Sequence, residues 1–273
     1  MVQLFSATGC MRCNIVKTYM GMNQIAYEEL DIHANGKEAF KIFYRENRSH
    51  IFRGEEGLEF PILHTGTRIY QGVGVVLAYL MADNRLDGFV CRSELSHGWV
   101  SGLNISARPL DDGHELLALI RFLKDQGLMI QVETDGRNPI LLETILKEKL
   151  IHSLVFHLQG PAKLYKTLTG TALTPEELSH SLSLLGPPVD YKIILEISPV
   201  PQENGSSDWM SPEQAAQAAE CVATATGSKK HPFFIRAMAL PEKMDIPQLQ
   251  PPALFKYRTL CRRYMVLCDI LKL

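Results

Sequence analysis

From about Trp99 onward the chain repeats one pattern: a short apolar run, a turn, then an amphipathic stretch. Strand Leu103–Ser106 precedes helix His114–Gln126, and strand Met129–Glu133 precedes helix Pro139–Lys149. Strand Ser153–His157 leads through Gly160-Pro161 to helix Pro175–Leu185. Strand Tyr191–Ile197 leads through a Pro/Gly/Ser loop to helix Pro212–Ala225, and strand Pro232–Met238 leads through a Pro-rich stretch to helix Ala253–Leu267. Five successive βα units leave few architectures. Each helix must carry the chain back to start the next strand, which predicts a parallel sheet with right-handed crossovers, open or barrel-like. The units are too dissimilar to be a sequence repeat.

The first 82 residues follow a different plan. An apolar strand begins almost at the first residue (Val2 to Ala7) and ends in a Thr8-Gly9 turn. Apolar residues then recur at helical spacing from Asn14 to about Met22. A strand covers Ala26 to Ile32, and Asn35 is placed to cap a helix running to Asn47. Strands Glu59–Leu63 and Thr67–Tyr70 and a helix over Val73–Met81 complete the order β-α-β-α-β-β-α. Residues 83–98 are polar and contain glycine, as a junction would. The reading is an α/β chain with a small domain over 1–82, a linker over 83–98 and a (βα) domain over 99–273.

Composition narrows the function classes. Of the 273 residues, 46% are apolar, ample for a buried core, and the formal net charge is -2. No clustered Lys/Arg footprint for nucleic acid follows from that balance. No run of about 18 apolar residues suggests a membrane span, and the N-terminus has neither the basic nor the apolar region of a signal peptide. The expected location is the cytoplasm, where disulfides are catalytic or transient. The six cysteines are therefore not a disulfide scaffold.

Two of them stand at the first strand–helix turn as Cys10-Met11-Arg12-Cys13. C-x-x-C in a βαβ context reads as a redox dithiol. Unsatisfied N–H groups and the helix dipole favour a thiolate at a helix start, and Arg12 adds positive charge between the sulfurs. A fall in thiol pKa from ~8.5 to ~6.5 raises the thiolate fraction at neutral pH from roughly 3% to roughly 75%. It also lowers nucleophilicity about eightfold, for a net gain of about threefold. Paired, accessible geometry therefore matters more than raw reactivity. Cys10 is expected to attack a disulfide and Cys13 to resolve the mixed disulfide. Two other readings of the pair are half of a zinc or iron–sulfur site, and no chemistry at all. A metal site needs further ligands, and there is no second C-x-x-C.

Residues 1–82 resemble the glutaredoxin family, through the strand, Cys10-Met11-Arg12-Cys13, the helix, and Phe60-Pro61 opening a later strand. The resemblance implies a thioredoxin-like fold and a cis bond before Pro61, which would face the cysteine pair. It also implies a glycine-rich turn, here Gly72 and Gly74, into the last helix. Glutathione-binding members carry a Tyr in the dithiol motif and an Asp at the last helix, where this chain has Met11 or Arg12 and Val75. The motif is closer to the glutaredoxin-like hydrogen donors of ribonucleotide reductases.

The second part resembles the radical S-adenosylmethionine activating enzymes, in particular those of pyruvate formate-lyase and anaerobic ribonucleotide reductase. The match runs from Leu103 through Ser106-Ala107-Arg108-Pro109, Glu133-Thr134-Asp135-Gly136, Asn138-Pro139 and Gly160-Pro161 to Leu168-Thr169-Gly170. The chain lacks the C-x3-C-x2-C that holds the family's cluster, and Ala107-Arg108-Pro109 stands where a Gly-Gly-Glu-Pro turn is usual. His157 and Gln159 replace an Asp and a Lys. Neither an iron–sulfur cluster nor S-adenosylmethionine is expected, and no other cofactor. Arg108, Asp135 and His157 remain at C-terminal strand ends as a residual small-ligand site.

Other residues have plainer expectations. Cys261 and Cys268 are expected in the core on one helix face, His97 and Trp99 in packing, and Arg262-Arg263 on a solvated face. The loop Arg53-Gly54-Glu55-Glu56-Gly57 is either a partner contact beside the dithiol or a plain connector. Together these observations suggest a dithiol electron carrier with a docking domain. Its partner would be a protein disulfide, in an anaerobic ribonucleotide reductase or another glycyl-radical system. The alternatives are a non-catalytic accessory protein that binds a partner or senses redox state, and a subunit completing a true activase.

Overall fold

The computed structural model describes residues 2–54, 57–93, 98–108, 113–202, 205–240 and 246–271. Two compact units emerge, one formed by Met1–Asn104 with Asp111–Gln131, the other by Ile105–Leu110 with Val132–Leu273. No helix among the described residues is long and apolar enough to cross a membrane.

The first unit begins with β1 (Val2–Ser6), α1 (Met11–Met22), β2 (Tyr27–Asp31) and α2 (Lys37–Asn47). A short antiparallel pair follows, β3 (Arg53–Gly54) with β4 (Gly57–Leu58), then β5 (Ile62–His64), β6 (Ile69–Gln71) and α3 (Val73–Ala82). The main sheet has the order β2-β1-β5-β6. Central β1 runs parallel to β2 and antiparallel to β5, and β5 runs antiparallel to β6. Neighbouring residues Leu4 and Phe5 are both buried, so β1 is covered on both faces. On one face Phe5 stacks on Phe43 of α2, with ring centroids 4.5 Å apart, inside a cluster with Leu30, Ile51 and Ile62. Each such buried side chain contributes roughly 1.5–3 kcal/mol relative to exposure.

Asn35 does not cap α2. Gly36 holds the N-cap position without a side-chain bond. The Asn35 amide instead closes the end of β2, donating to the Glu29 carbonyl at 2.9 Å and accepting from the Asp31 N–H at 3.0 Å. A side chain able to cap was used to finish the strand before it.

The seam read at 83–98 is not where the compact units part. Leu86, Phe89 and Val90 are buried, and a 3-10 turn spans Asp83–Leu86. Val90 bridges Leu103 of β7 (Trp99–Asn104), and the Cys91 N–H donates to the Gly102 carbonyl at 2.8 Å. Helix α4 (His114–Asp125) belongs to the same unit, with Phe122 edge-on to Tyr19 at 5.3 Å and Glu115 paired to Arg85 at 2.7 Å. These three apolar anchors fold residues 86–90 of the polar stretch onto the unit. His97, Pro109, Glu55 and Glu56 lie outside the described residues.

The later elements are β8 (Met129–Thr134), α5 (Pro139–Lys147), β9 (Ser153–Leu158), α6 (Ala162–Thr169) and α7 (Pro175–Ser183). Then come β10 (Asp190–Ile197), a hairpin of β11 (Pro199–Pro201) and β12 (Ser207–Trp209), α8 (Pro212–Thr226), β13 (Phe233–Ala237), α9 (Leu254–Cys261) and β14 (Cys268–Ile270). Six strands form a sheet in the order β14-β13-β10-β9-β8-β7, with β9–β10, β10–β13 and β13–β14 paired in parallel. Leu154, Phe156 and Leu158, then Ile193, Leu195 and Ile197, then Phe233, Ile235 and Ala237 line one face, and Val155 and Ile194 are buried on the other. Helices α7 and α8 start on complete capping boxes, Thr174 with Glu177 and Ser211 with Gln214, each followed by proline.

The last helix is shorter than its apolar pattern predicts. It ends at Cys261, and Cys268 opens β14 instead of sharing a helix face. A turn closed by the Met265 N–H on the Cys261 carbonyl (2.9 Å) and the Cys268 N–H on the Met265 carbonyl (3.1 Å) reverses the chain. Both thiols are fully buried and share a hydrogen bond, which pushes Cys261 up and Cys268 down.

Candidate functional site

Residues around the first strand–helix turn build the site. Gly9 takes a left-handed φ of 78°, and the Cys10 N–H closes the turn on the Ala7 carbonyl at 3.1 Å. Cys10 then stands at the N-cap of α1 in an extended conformation, and its Sγ accepts the Cys13 N–H at 3.1 Å. The two sulfurs are joined in a disulfide, with Cα atoms 5.3 Å apart. No acidic residue occupies the first turn of α1, so nothing there opposes negative charge at the sulfurs. Cys13 is fully buried, Cys10 is half-buried, and Met11 beside them is exposed.

Arg12 is held inward. Its Nη1 pairs with Glu59 Oε1 at 3.1 Å and its Nη2 donates to the Trp99 carbonyl at 2.8 Å. Glu59 lies just before Phe60-Pro61, whose peptide bond is cis. Gln71 fixes this segment: its amide donates to the carbonyls of Phe52 (2.9 Å) and Glu59 (3.1 Å) and accepts from the Phe52 N–H (2.8 Å). The Gly72 N–H adds a bond to the Pro61 carbonyl at 2.9 Å. Burial pushes the Glu59 carboxyl up, against the pull of Arg12 and Arg92, and the net direction is upward. Arg92 itself lies over the Phe52 ring, 3.3 Å from the centroid.

The structure therefore separates the supporting residues read from the sequence. Arg12 and Gly72 both meet Glu59. Phe60 turns to the core, 5.6 Å from the Phe40 ring. A Cβ at Gly74 would meet only Val100 and Val90 in ordinary packing. Sequence reasoning missed Glu59, Gln71 and Arg92. The signal for Glu59 was an acidic residue directly ahead of an apolar Phe-Pro-Ile-Leu run.

In the second unit, Arg108, Asp135 and His157 do not form one site. Asp135 is buried and bound through both carboxylate oxygens by Arg137, with Nη2 at 2.6 Å and Nε at 2.9 and 3.0 Å. Arg108 is exposed and lines a cavity of about 150 Å³ with Arg137, Asn138 and Glu177. His157 lies elsewhere, between Glu133 (Nε2 to Oε2, 3.1 Å) and Glu196 (Nδ1 to Oε1, 3.6 Å), and Arg236 binds Glu196. Glu133, His157, Glu196 and Arg236 are each the next-to-last residue of their strand. Register pairs Arg236 with Glu196 and His157 with Ile194, two residues before Glu196, so His157, Glu196 and Arg236 share one sheet face as a staggered row. Burial alone would lower the His157 pKa, but its two carboxylate partners outweigh that and raise it to about 9.

These residues do not fit an iron–sulfur cluster, which needs three convergent thiolates. Of the free cysteines, Cys91 is exposed, Cys221 lies in α8, and Cys261 and Cys268 are hydrogen-bonded to each other. Among the described residues no group of three His, Cys, Asp or Glu side chains is placed to hold a metal ion.

No protein-family model matches the chain, and no curated protein matches it. Solved structures are similar in part. One of them is a domain of pyruvate-formate lyase-activating enzyme from Bacteroides vulgatus ATCC 8482, with 15% identity and a TM-score of 0.42, covering 58% of this chain and 91% of that one.

Proposed function

We propose that the first unit is a glutaredoxin-like thiol–disulfide oxidoreductase with a thioredoxin-type arrangement, and that the (βα) part docks it onto a client. The observation that carries this reading is the unequal placement of two paired sulfurs. Cys10 is half-buried at the positive end of α1, and Cys13 is fully buried one turn on. The mixed sheet order β2-β1-β5-β6 supports the fold assignment.

The exchange follows from that inequality. In the reduced pair, the Cys10 thiolate attacks one sulfur of a client disulfide. The client S–S bond breaks, a Cys10–client disulfide forms, and the displaced client thiolate takes up a proton. Cys13 can reach only a sulfur already brought to Cys10. It gives up its proton and attacks the Cys10 sulfur, releasing the second client thiol. A client disulfide and the dithiol become a client dithiol and the Cys10–Cys13 disulfide. A thiol reductant of the cytoplasm then restores the dithiol. The step uses two sulfurs and needs neither a cluster nor S-adenosylmethionine.

For the client, the reading favours the disulfide of a glycyl-radical system such as an anaerobic ribonucleotide reductase. It rests on the two resemblances, a hydrogen-donor-like dithiol and an activase-like chain without cluster cysteines. The test uses the full chain with a thiol reductant and a protein disulfide substrate such as insulin. Cys10→Ser should abolish reduction, and Cys13→Ser should trap a mixed disulfide with the client. Reduction that survives Cys10→Ser would refute the reading.

A further inference from the structure

Glu59 has no part in the exchange as written, yet the site is built around it. Its side chain is 14% exposed, and Oε2 is buried with no hydrogen-bond partner among the described residues. Leaving a buried carboxylate oxygen unpaired is costly. The surroundings keep it in place regardless. Gln71 holds its peptide carbonyl, Arg12 takes Oε1, and Gly72 leaves room, since a Cβ there would lie 2.7 Å from Oε1. The charged groups facing Glu59 are Arg12 from α1 and Arg92 from the segment after Val90. The carboxylates of β2 are engaged elsewhere, Glu28 with Gln3, Glu29 with Ser6 and Lys17, and Asp31 with Thr8.

We propose that Glu59 is a positioning residue for the dithiol and acts through Arg12. Its carboxylate holds the guanidinium of Arg12, the residue that precedes Cys13 in the first turn of α1, and it cancels part of the positive charge the sulfurs would otherwise feel. The inference rests on the dithiol-exchange reading and sets the poise of that site. An uncompensated Arg12 would stabilise the Cys10 thiolate. It would thereby stabilise the reduced form and make the pair a weaker reductant. With Glu59 in place the dithiol gives up its electrons more readily, which suits a donor to client disulfides.

The test compares the parent full chain with Glu59→Gln, Glu59→Asp, Arg12→Gln and the Arg12→Gln/Glu59→Gln double variant. Two quantities are read: the pH midpoint of Cys10 alkylation by iodoacetamide in the reduced protein, and the redox equilibrium of the pair against glutathione. Glu59→Gln should move the alkylation midpoint down by about half a pH unit or more and raise the reduction potential. Glu59→Asp, whose charge sits one methylene farther from Arg12, should move both the same way by less. In the Arg12→Gln background, adding Glu59→Gln should move both by much less, because the guanidinium through which Glu59 acts is gone and only Arg92 still faces the carboxyl.

An unchanged midpoint in Glu59→Gln, or an equal shift with and without Arg12, overturns the proposal. Should Glu59→Gln fail to fold, a Glu59→Asp midpoint equal to the parent's overturns it instead. Turnover of the disulfide substrate is read separately. A parent that reduces insulin through Cys10 while Glu59→Gln leaves the midpoint unmoved refutes only the role of Glu59. A parent with no Cys10-dependent turnover refutes the oxidoreductase reading.

Discussion

The backbone N–H of Cys13 donates to Cys10 Sγ at 3.1 Å, so one sulfur serves both as the N-cap of α1 and as the candidate nucleophile. The two roles separate by substitution. Cys10→Ser keeps an acceptor at the cap and Cys10→Ala does not. Under reducing conditions the Ala variant should be less stable than the Ser variant by about 1 kcal/mol, read by urea unfolding. Both should lose disulfide reduction. Equal stability of the two would show that a side-chain acceptor at this position contributes no capping.

Gly72 and Gly74 look alike in sequence but carry different constraints. Gly72 has a φ of 90°, and a Cβ would lie 2.7 Å from the Glu59 carboxylate. Gly74 lies inside α3, where a Cβ would meet Val100 at 3.4 Å and Val90 at 3.5 Å. Gly72→Ala should therefore cost about 1–2 kcal/mol from the left-handed backbone alone, and more from displacing Glu59. Gly74→Ala should range from neutral to about 1 kcal/mol stabilising through helix propensity. Thermal unfolding of both variants gives the comparison, and equal losses would contradict it.

What was legible in the sequence depended on how far the cause lay from the residue. The dithiol turn was legible because its cause is local: a strand, a left-handed glycine, then an uninterrupted helix. The strand-then-helix alternation was legible through periodicity. Asn35 was misassigned because two backbone groups competed for one amide, and the nearby β2 won. Helix α9 was overextended because Met265 and Cys268 are apolar at helical spacing yet bury through a turn and a strand. Glu59 stands out locally only as an acidic residue ahead of an apolar run; its pairing with Arg12 is not legible because the two are 47 residues apart and no local pattern links them. The Glu133, His157, Glu196 and Arg236 row was present as next-to-last strand residues, but strand ends had to be known to find it.

That row makes a pH prediction. The His157 pKa is raised from 6.5 to about 9 by Glu133 and Glu196, against the opposing effect of burial. A folded-state pKa above the unfolded value stabilises fully below pH 6.5 and loses its contribution as pH rises to about 9. The shift corresponds to about 3 kcal/mol at most. The Glu133 and Glu196 carboxyls are both held below the usual range. For Glu133 the His157 bond leads, and for Glu196 burial opposes but His157 and Arg236 prevail. Their contribution is present above the ordinary carboxylate pKa and lost as pH falls through the lowered ones. Parent minus His157→Gln stability, from urea midpoints, should be largest near pH 6 and shrink toward pH 10. A difference independent of pH would refute the charged-row reading.

The remaining cysteines give the last prediction, because access decides which sulfur can exchange. Cys91 is exposed and should react with iodoacetamide in the native protein before the other free thiols. Cys221 is half-buried in α8, and burial followed by Glu220 pushes its thiol up, so it should label more slowly. Cys261 and Cys268 are fully buried between α9 and β14 and should resist until the fold opens. Their labelling rate should rise with urea in step with global unfolding, as followed by peptide mass spectrometry. After reduction Cys10 should join the labelled set while Cys13, fully buried, should not. Labelling of Cys268 as fast as Cys91 in the absence of denaturant would mean that β14, an edge strand, opens locally and that its thiol pair is open to exchange as well.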